Sequence, residues 1–303
     1  MNRIVIGTRG SKLAQWQAGW VADKLIALNP GLQVSVQHIT TKGDALVDVA
    51  LTKTGDKGLF TREIEMALLQ GQIHLAVHSM KDMHIESPRG LTIGAIPERG
   101  DPRDVLITRL CCGLDGLPAG ASVGTSSLRR AAQLLALRPD LHIVPLRGNV
   151  DTRLRKAATS EYDAIVLAAA GLLRLGHADL IVEYLPPEVM LPAVGQGALA
   201  VQAREDDADT LRLLAALDHM PTRAAVSAER AFSRALGGGC HVPVAAFAET
   251  SGSDLRLRGL VADPDGKRLI SDEVAGPVAD AEAIGVELAM RLLARGGKEI
   301  LQP

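Results

Sequence analysis

The sequence predicts an α/β protein that runs on into a small α+β C-terminal part. Three features carry that expectation. Short β-branched apolar runs alternate with helix-period segments from the first residues onward. Several runs end in Gly, Ser or Thr residues able to cap a following helix. Beyond residue 220 the order changes to one helix, a glycine turn and a meander. A chain of 303 residues argues for more than one domain, and 47% apolar with 22% charged residues suits a packed globular protein rather than a disordered one.

In order along the chain, Arg3 to Thr8 reads as a short buried strand bounded by Gly7 and Gly10. Ser11 can cap a helix whose apolar face is expected to be Leu13, Trp16, Trp20, Val21, Leu25 and Leu28. Asn29-Pro30-Gly31 stops it, and Gln33 to Thr40 alternates like a strand. The stretch 42–60 has three lysines, glycines at 43, 55 and 58, and no clean periodicity, which marks a functional or mobile connection. A helix over 61–70 and strands over 73–78 and 91–96 complete the first unit. Pro97 to Pro102 is a punctuated crossover. A second α/β unit then has strands near Val105, Val123, Ile143 and Ile165, with helices after Ser127 and Val150. The prolines at 186, 187 and 192 mark a return crossing, after which 197–203 can re-enter the first sheet. A helix from Thr222 to Leu236, the Gly-Gly-Gly-Cys turn, a meander with an Asp-Pro-Asp-Gly turn at 263–266, and a helix stopping at Gly296-Gly297 close the chain. The expected domains are therefore 1–98 with 198–216, 103–191, and 220–303.

Net charge is −2 and only seven residues are aromatic, a poor supply for a general nucleic-acid binder or a base-stacking platform. Three cysteines cannot build a disulfide framework, so a reducing compartment is expected. The opening MNRIVIGTRGSK lacks a secretory apolar core, and no run approaches the length needed to span a bilayer. The expected setting is the cytoplasm, away from membranes. His74, His78 and His84 match no metal-ligand spacing, so no metal is expected.

Charge is placed unevenly. Residues 121–160 hold seven basic and two acidic side chains. Thr125-Ser126-Ser127-Leu128-Arg129-Arg130 runs from a strand end into a helix start, where backbone N–H groups, hydroxyls and the positive dipole end favour an anion. Leu146-Arg147-Gly148-Asn149 repeats the arrangement, with Arg153 and Arg155 on the next helix. One Arg-Arg pair alone reads as a solvated helix face, but two such junctions favour recognition of a polyanion through bidentate guanidinium grips. Lys81-Asp82 follows a strand end, where an open α/β sheet makes ligand contacts, and a carboxylate there suits proton handling or cation stabilisation. Gly237-Gly238-Gly239-Cys240 strips side chains from a turn and ends it in a thiol, read either as an accessible cysteine or as a buried thiol in a tight turn.

These motifs occur in one order with Thr8-Arg9-x-Ser11, Gly55-x-Lys57-Gly58-Leu59-Phe60, His78-Ser79-Met80-Lys81-Asp82 and Leu191-Pro192-Ala193-Val194-Gly195-Gln196-Gly197. Together, over essentially the whole chain, they closely resemble the hydroxymethylbilane synthase (porphobilinogen deaminase) family. The resemblance implies two periplasmic-binding-protein-like α/β domains with the active site between them, and a third domain carrying the cofactor loop. It implies stepwise condensation of four porphobilinogen molecules with loss of ammonia, on a dipyrromethane primer joined by a thioether to Cys240. Asp82 matches the family's catalytic carboxylate. Lys81, Thr125, Ser127, Arg129, Arg130, Arg147 and Arg153 match cofactor-binding positions, and Arg9 and Ser11 substrate-binding ones. Gln196 is expected to line the cleft, with Phe60 also on the substrate side. Lys53 and Lys57 fall in a segment corresponding to a lid, and the family suggests a monomer. Departures are small: Met83-His84-Ile85 stands where many relatives have Val-Pro, and His241 follows the cysteine. Two other classes are weighed against this reading. A two-lobed polycarboxylate-binding protein would need neither Asp82 nor the Gly-Gly-Cys loop. A cysteine-nucleophile hydrolase would need a paired histidine and an oxyanion site.

Overall fold

The computed structural model describes residues 2–41, 61–110, 112–237 and 242–301. Lys53, Lys57, Phe60 and Cys240 therefore lie outside the described residues. In chain order the first elements are β1 (Arg3–Thr8), α1 (Lys12–Leu28), β2 (Gln33–His38), α2 (Arg62–Leu69), β3 (Leu75–Ser79) and β4 (Leu91–Ala95). Next come β5 (Asp104–Thr108), β6 (Ser122–Gly124), α3 (Leu128–Leu137), β7 (His142–Val144), α4 (Val150–Ala157), β8 (Ala164–Ala168), α5 (Ala169–Arg174) and β9 (Glu183–Leu185). The chain continues through β10 (Leu199–Arg204), α6 (Ala208–Ala215), α7 (Met220–Ala235), β11 (Val244–Ser251), β12 (Asp254–Ala262), β13 (Leu269–Pro277), α8 (Ala281–Leu292) and α9 (Lys298–Leu301). None of the described helices is long and apolar enough to cross a membrane.

Two compact units result, one of Met1–Gly100 with Ala198–Arg223 and one of Asp101–Gly197 with Ala224–Pro303. The first unit's sheet has the order β2-β1-β3-β10-β4, with β1 parallel to β2 and β3 and β10 antiparallel to both neighbours. The second unit repeats that plan as β7-β6-β8-β5-β9, with β6 parallel to β7 and β8 and β5 antiparallel to β8 and β9. In each sheet the antiparallel strand is the first one after a crossing of the chain. The strand order thus bears out the α/β expectation, including re-entry of the segment around 199–204 into the first sheet.

The second unit also holds the three-stranded meander β11-β12-β13, whose first hairpin turns on Gly252 at φ +59° between Ser251 and Asp254. The Asp-Pro-Asp-Gly turn is present, closed by Gly266 N–H donating to Asp263 O at 3.0 Å. Phe232 of α7, Leu288 of α8 and Leu257 of β12 share one apolar core. The helix stop at Gly296 holds, with φ +100°, but α9 adds one turn beyond it.

The face of α1 differs from the sequence expectation. The buried residues are Ala14, Gln17, Ala18, Val21, Ala22 and Leu25, while Trp16 and Leu28 are exposed. Val21 and Leu25 face inward as expected and Trp20 packs partly buried against the core, but small side chains let the helix approach the sheet closely, so alanines fill the rest of the stripe and Trp16 is left outside.

Candidate functional site

In the first unit, parallel β1 and β3 are neighbours, so their C-terminal ends open at the same sheet edge. At the end of β1, Thr8 is buried and donates its hydroxyl to Ala14 O at 3.0 Å. Arg9 is half-buried, and Ser11 caps α1 by accepting Ala14 N–H at 3.3 Å. At the end of β3, Ser79 accepts a hydrogen bond from Gln17 Nε2 at 2.9 Å, which ties α1 to this end. Met80–Asp82 then forms a single 3-10 turn, held by Met80 N–H on Ala198 O at 3.0 Å. Met80 and Met83 are almost wholly buried, so the residues between them turn outward: Lys81 is half-buried and Asp82 exposed. Two apolar anchors thus hold a carboxylate at the strand end.

Behind that turn His78 is buried, its Nε2 3.1 Å from Gln202 Oε1, and Gln202 Nε2 lies 3.5 Å from Glu65 Oε1 on α2. Burial pushes His78 down to about 4; the Gln202 bond opposes this and Arg9 adds to it. The ring is therefore neutral at pH 7, with its Nε2–H donated to Gln202. A histidine whose pKa falls on folding leaves the unfolded chain with the greater proton uptake between about pH 6.5 and 4. Stability is expected to fall across that window by roughly 3 kcal/mol from this residue alone. Urea unfolding of the parent and of His78→Gln, at pH 7 and at pH 5, checks this: the variant loses less stability on acidification, whereas equal losses would contradict it.

The second unit builds its group from the same strand-end geometry. Parallel β6 and β7 are neighbours, and Ser126 Oγ donates to Leu146 O at 3.0 Å, joining the two strand-to-helix junctions. At the first junction Thr125 is buried and its Oγ1 accepts Ser127 N–H at 3.1 Å. Ser127 caps α3 with its Oγ accepting Arg130 N–H at 3.4 Å. At the second, Arg147 is half-buried, Gly148 adopts φ +115°, and Asn149 caps α4 by accepting Thr152 N–H at 2.9 Å. A Cβ at Gly148 would stand 2.6 Å from the Thr152 methyl, so this turn requires glycine. Arg153 lies one turn into α4, half-buried.

Arg129 and Arg130 depart from the picture of two exposed grips. Both are buried on Asp104, a wholly buried residue opening β5. Asp104 Oδ2 accepts Arg129 Nη1 at 2.7 Å; its Oδ1 accepts Arg130 Nη2 at 2.7 Å, Arg130 Nε at 3.0 Å and Gln196 Nε2 at 3.0 Å. Arg130 Nη1 also reaches Val166 O at 3.0 Å and Arg129 Nη1 reaches Leu191 O at 2.7 Å. The two guanidiniums hold the Asp104 carboxyl far below the usual carboxylate range despite its burial. Burial in turn pulls Arg129 down, against the attraction of Asp104. Two cations on one anion leave the cluster with one surplus positive charge, beneath the N-terminus of α3. Gln196 donates to Asp104 and to Pro102 O at 2.7 Å, so its role here is to tie the return crossing to β5.

Sequence reasoning missed Asp104. Its signal was a carboxylate opening the apolar run Val105-Leu106-Ile107, where burial demands a partner. It also missed Arg174 on α5, whose Nη2 donates to Gly197 O at 2.7 Å and whose pKa burial lowers to about 10. Among the described residues no group of three His, Cys, Asp or Glu side chains could hold a metal ion.

Two family models match the chain. One, described as "Porphobilinogen deaminase, dipyromethane cofactor binding domain", covers residues 4–212, and "Porphobilinogen deaminase, C-terminal domain" covers 223–294. The chain is 56% identical to the porphobilinogen deaminase of Syntrophotalea carbinolica over 99% of its own length and 95% of the relative's. It is 54% identical to that of Pelotomaculum thermopropionicum (99% and 96%) and 54% identical to that of Moorella thermoacetica (100% and 96%). Among solved structures, the periplasmic aliphatic sulphonate binding protein of Escherichia coli is 14% identical at a TM-score of 0.40, over 79% of this chain and 72% of that one. With two family models spanning nearly its whole length and relatives more than half identical from end to end, the chain belongs to the porphobilinogen deaminase family.

Proposed function

We propose that this chain is a hydroxymethylbilane synthase, which condenses four porphobilinogen molecules head to tail, releases ammonia at each addition, and uses a dipyrromethane primer held on Cys240. The observation that carries the reading is the end-to-end similarity to porphobilinogen deaminases. The donor set of the second unit fits such a group. Each pyrrole brings an acetate and a propionate, and the strand-end edge offers two capped helix starts, Arg147, Arg153 and a cluster with surplus positive charge.

In this reading Thr125, Ser127, Arg129, Arg130, Arg147 and Arg153 hold the carboxylates of the dipyrromethane, with Lys81 as a further contact. Arg129 and Arg130 act chiefly through their long-range charge, since much of their hydrogen bonding goes to Asp104 and carbonyls. When bound, the dipyrromethane supplies the free pyrrole α-carbon to which each porphobilinogen is joined. Arg9 and Ser11 bind the incoming substrate, with Phe60 and Gln196 as supporting positions, and Lys53 and Lys57 belong to a lid. As the C–N bond of porphobilinogen breaks and ammonia leaves with the bonding pair, positive charge develops on the substrate. The Asp82 carboxylate stabilises that charge, and one of its oxygens then accepts the proton released from the pyrrole α-carbon.

The same reading divides the chain into domains 1–98 with 198–216, 103–191 and 220–303, supported by one sheet in each. It takes the protein as a cytoplasmic monomer without nucleic-acid partners, in keeping with a net charge of −2. Incubation of the purified protein with porphobilinogen tests it. The expected result is one ammonia per porphobilinogen consumed and a linear tetrapyrrole in the product; porphobilinogen bound and returned unchanged would instead identify a binding protein.

A further inference from the structure

Glu229 lies within α7 and is completely buried. Its Oε2 accepts Gly195 N–H at 2.6 Å and its Oε1 accepts Ala248 N–H at 2.9 Å. These contacts join three pieces of chain that have a common address. Helix α7 ends at Ala235, just before the glycine run that leads to Cys240. Strand β11, which carries Ala248, begins at Val244, just after it. The helix and the strand are thus the two arms from which the cysteine segment hangs.

Gly195 belongs to neither arm. It sits in a turn closed by Gln196 N–H on Ala193 O at 2.8 Å, with Gly195 at φ +72° and Gly197 at φ +87°. The next residue, Gln196, donates to Asp104 at 3.0 Å, and Asp104 carries Arg129 and Arg130. Glu229 is therefore linked to Asp104, which anchors the arginine cluster, through two residues, Gly195 and Gln196.

The side-chain type matters. Gly195 and Ala248 both present N–H donors here, so both oxygens accept, and a carboxylate provides two acceptor atoms. An amide of the same shape would set an NH2 group against one of the two N–H donors and break that link.

We infer that Glu229 is a positioning residue: its carboxylate locks both arms of the Cys240 segment to the 193–197 turn, and through Gln196 to the Asp104–Arg129–Arg130 cluster, setting the register in which a primer on Cys240 meets the arginines. The inference rests on the reading of Cys240 as the attachment residue.

The test compares the parent with Glu229→Gln and Glu229→Asp by three measurements. These are the fraction of molecules carrying the dipyrromethane mass, kcat and KM per loaded molecule, and the melting temperature. The expected result for Glu229→Gln is a lower loaded fraction, a kcat per loaded molecule reduced about tenfold or more with KM changed less than threefold, and a build-up of partly extended adducts. Glu229→Asp, which keeps two acceptor oxygens, recovers part of the kcat. A fall in melting temperature alone, with loading, kcat per loaded molecule and adduct pattern all like the parent's, would overturn the inference. Should Glu229→Gln not accumulate as folded protein, the same three measurements on Glu229→Asp decide it. A parent that gains no adduct on Cys240 even after incubation with porphobilinogen would overturn the attachment reading itself, which separates that failure from this one.

Discussion

Replacing Asp104 by Ala is expected to cost about 3–5 kcal/mol of stability, the usual penalty for removing one partner of a buried ion pair. The mechanism is specific. Asp104 accepts four hydrogen bonds, three of them from two buried guanidiniums and one from Gln196. Without the carboxylate, Arg129 and Arg130 face each other as like charges in a site that water does not reach. Asp104→Asn keeps the shape but removes the charge, and a smaller loss is expected. The Asp104 carboxyl is held far below its ordinary value of 3.8, so it is ionised in the folded and unfolded chain alike throughout pH 5–8. The penalty is therefore flat in that range, unlike the His78 effect, which grows as pH falls below 6.5. Urea midpoints for parent and variants at pH 5.5 and 7.5 check both statements. A loss below 1 kcal/mol for Asp104→Ala would mean that the cluster is not a buried charge pair in solution.

Asp82→Asn should have the opposite profile, a large loss of turnover with an unchanged fold. Asp82 is exposed on a turn anchored by Met80 and Met83 rather than by its own side chain, so its replacement leaves stability within about 0.5 kcal/mol. If the carboxylate stabilises developing positive charge and takes the released proton, its neutral isostere lacks both capacities. Turnover is expected to fall by about 10²–10⁴-fold, with primer loading and KM much less affected. Steady-state kinetics on primer-loaded enzyme reads this directly. A kcat within threefold of the parent's would remove Asp82 from the chemistry and leave it as a surface carboxylate.

Much of the architecture follows from local sequence. The β-branched runs at 3–8 and 164–168, the cap at Ser11, the helix starts after Ser127 and near Val150, and the turn at 263–266 all declare themselves through residue type and spacing. The inward face of α1 did not, because hydrophobicity ranks tryptophan above alanine whereas close helix-on-sheet packing favours the smaller residue. The candidate site divides along a similar line. Strand-end positions such as Lys81-Asp82 and Arg147 are legible, since an open α/β sheet presents ligands there. The supports beneath them are not. Asp104 meets arginines 25 and 26 positions away and a glutamine 92 positions away, and Glu229 reaches back 34 positions to Gly195. No local pattern encodes such pairings; the tertiary packing of the second unit, which contains all of these residues, brings them together. A buried carboxylate inside an apolar strand is the kind of signal that announces a partner without naming it, and Asp104 is the example here.

Cys240 is the residue proposed to carry the primer, and the intact mass of the purified protein beside its Cys240→Ser variant tests this most directly. The expected result is a parent heavier than its bare chain by two pyrrole units, before or after incubation with porphobilinogen, and a variant at its bare mass under both conditions. The same adduct on the Cys240→Ser variant, or a parent that stays at its bare mass after incubation, would contradict it.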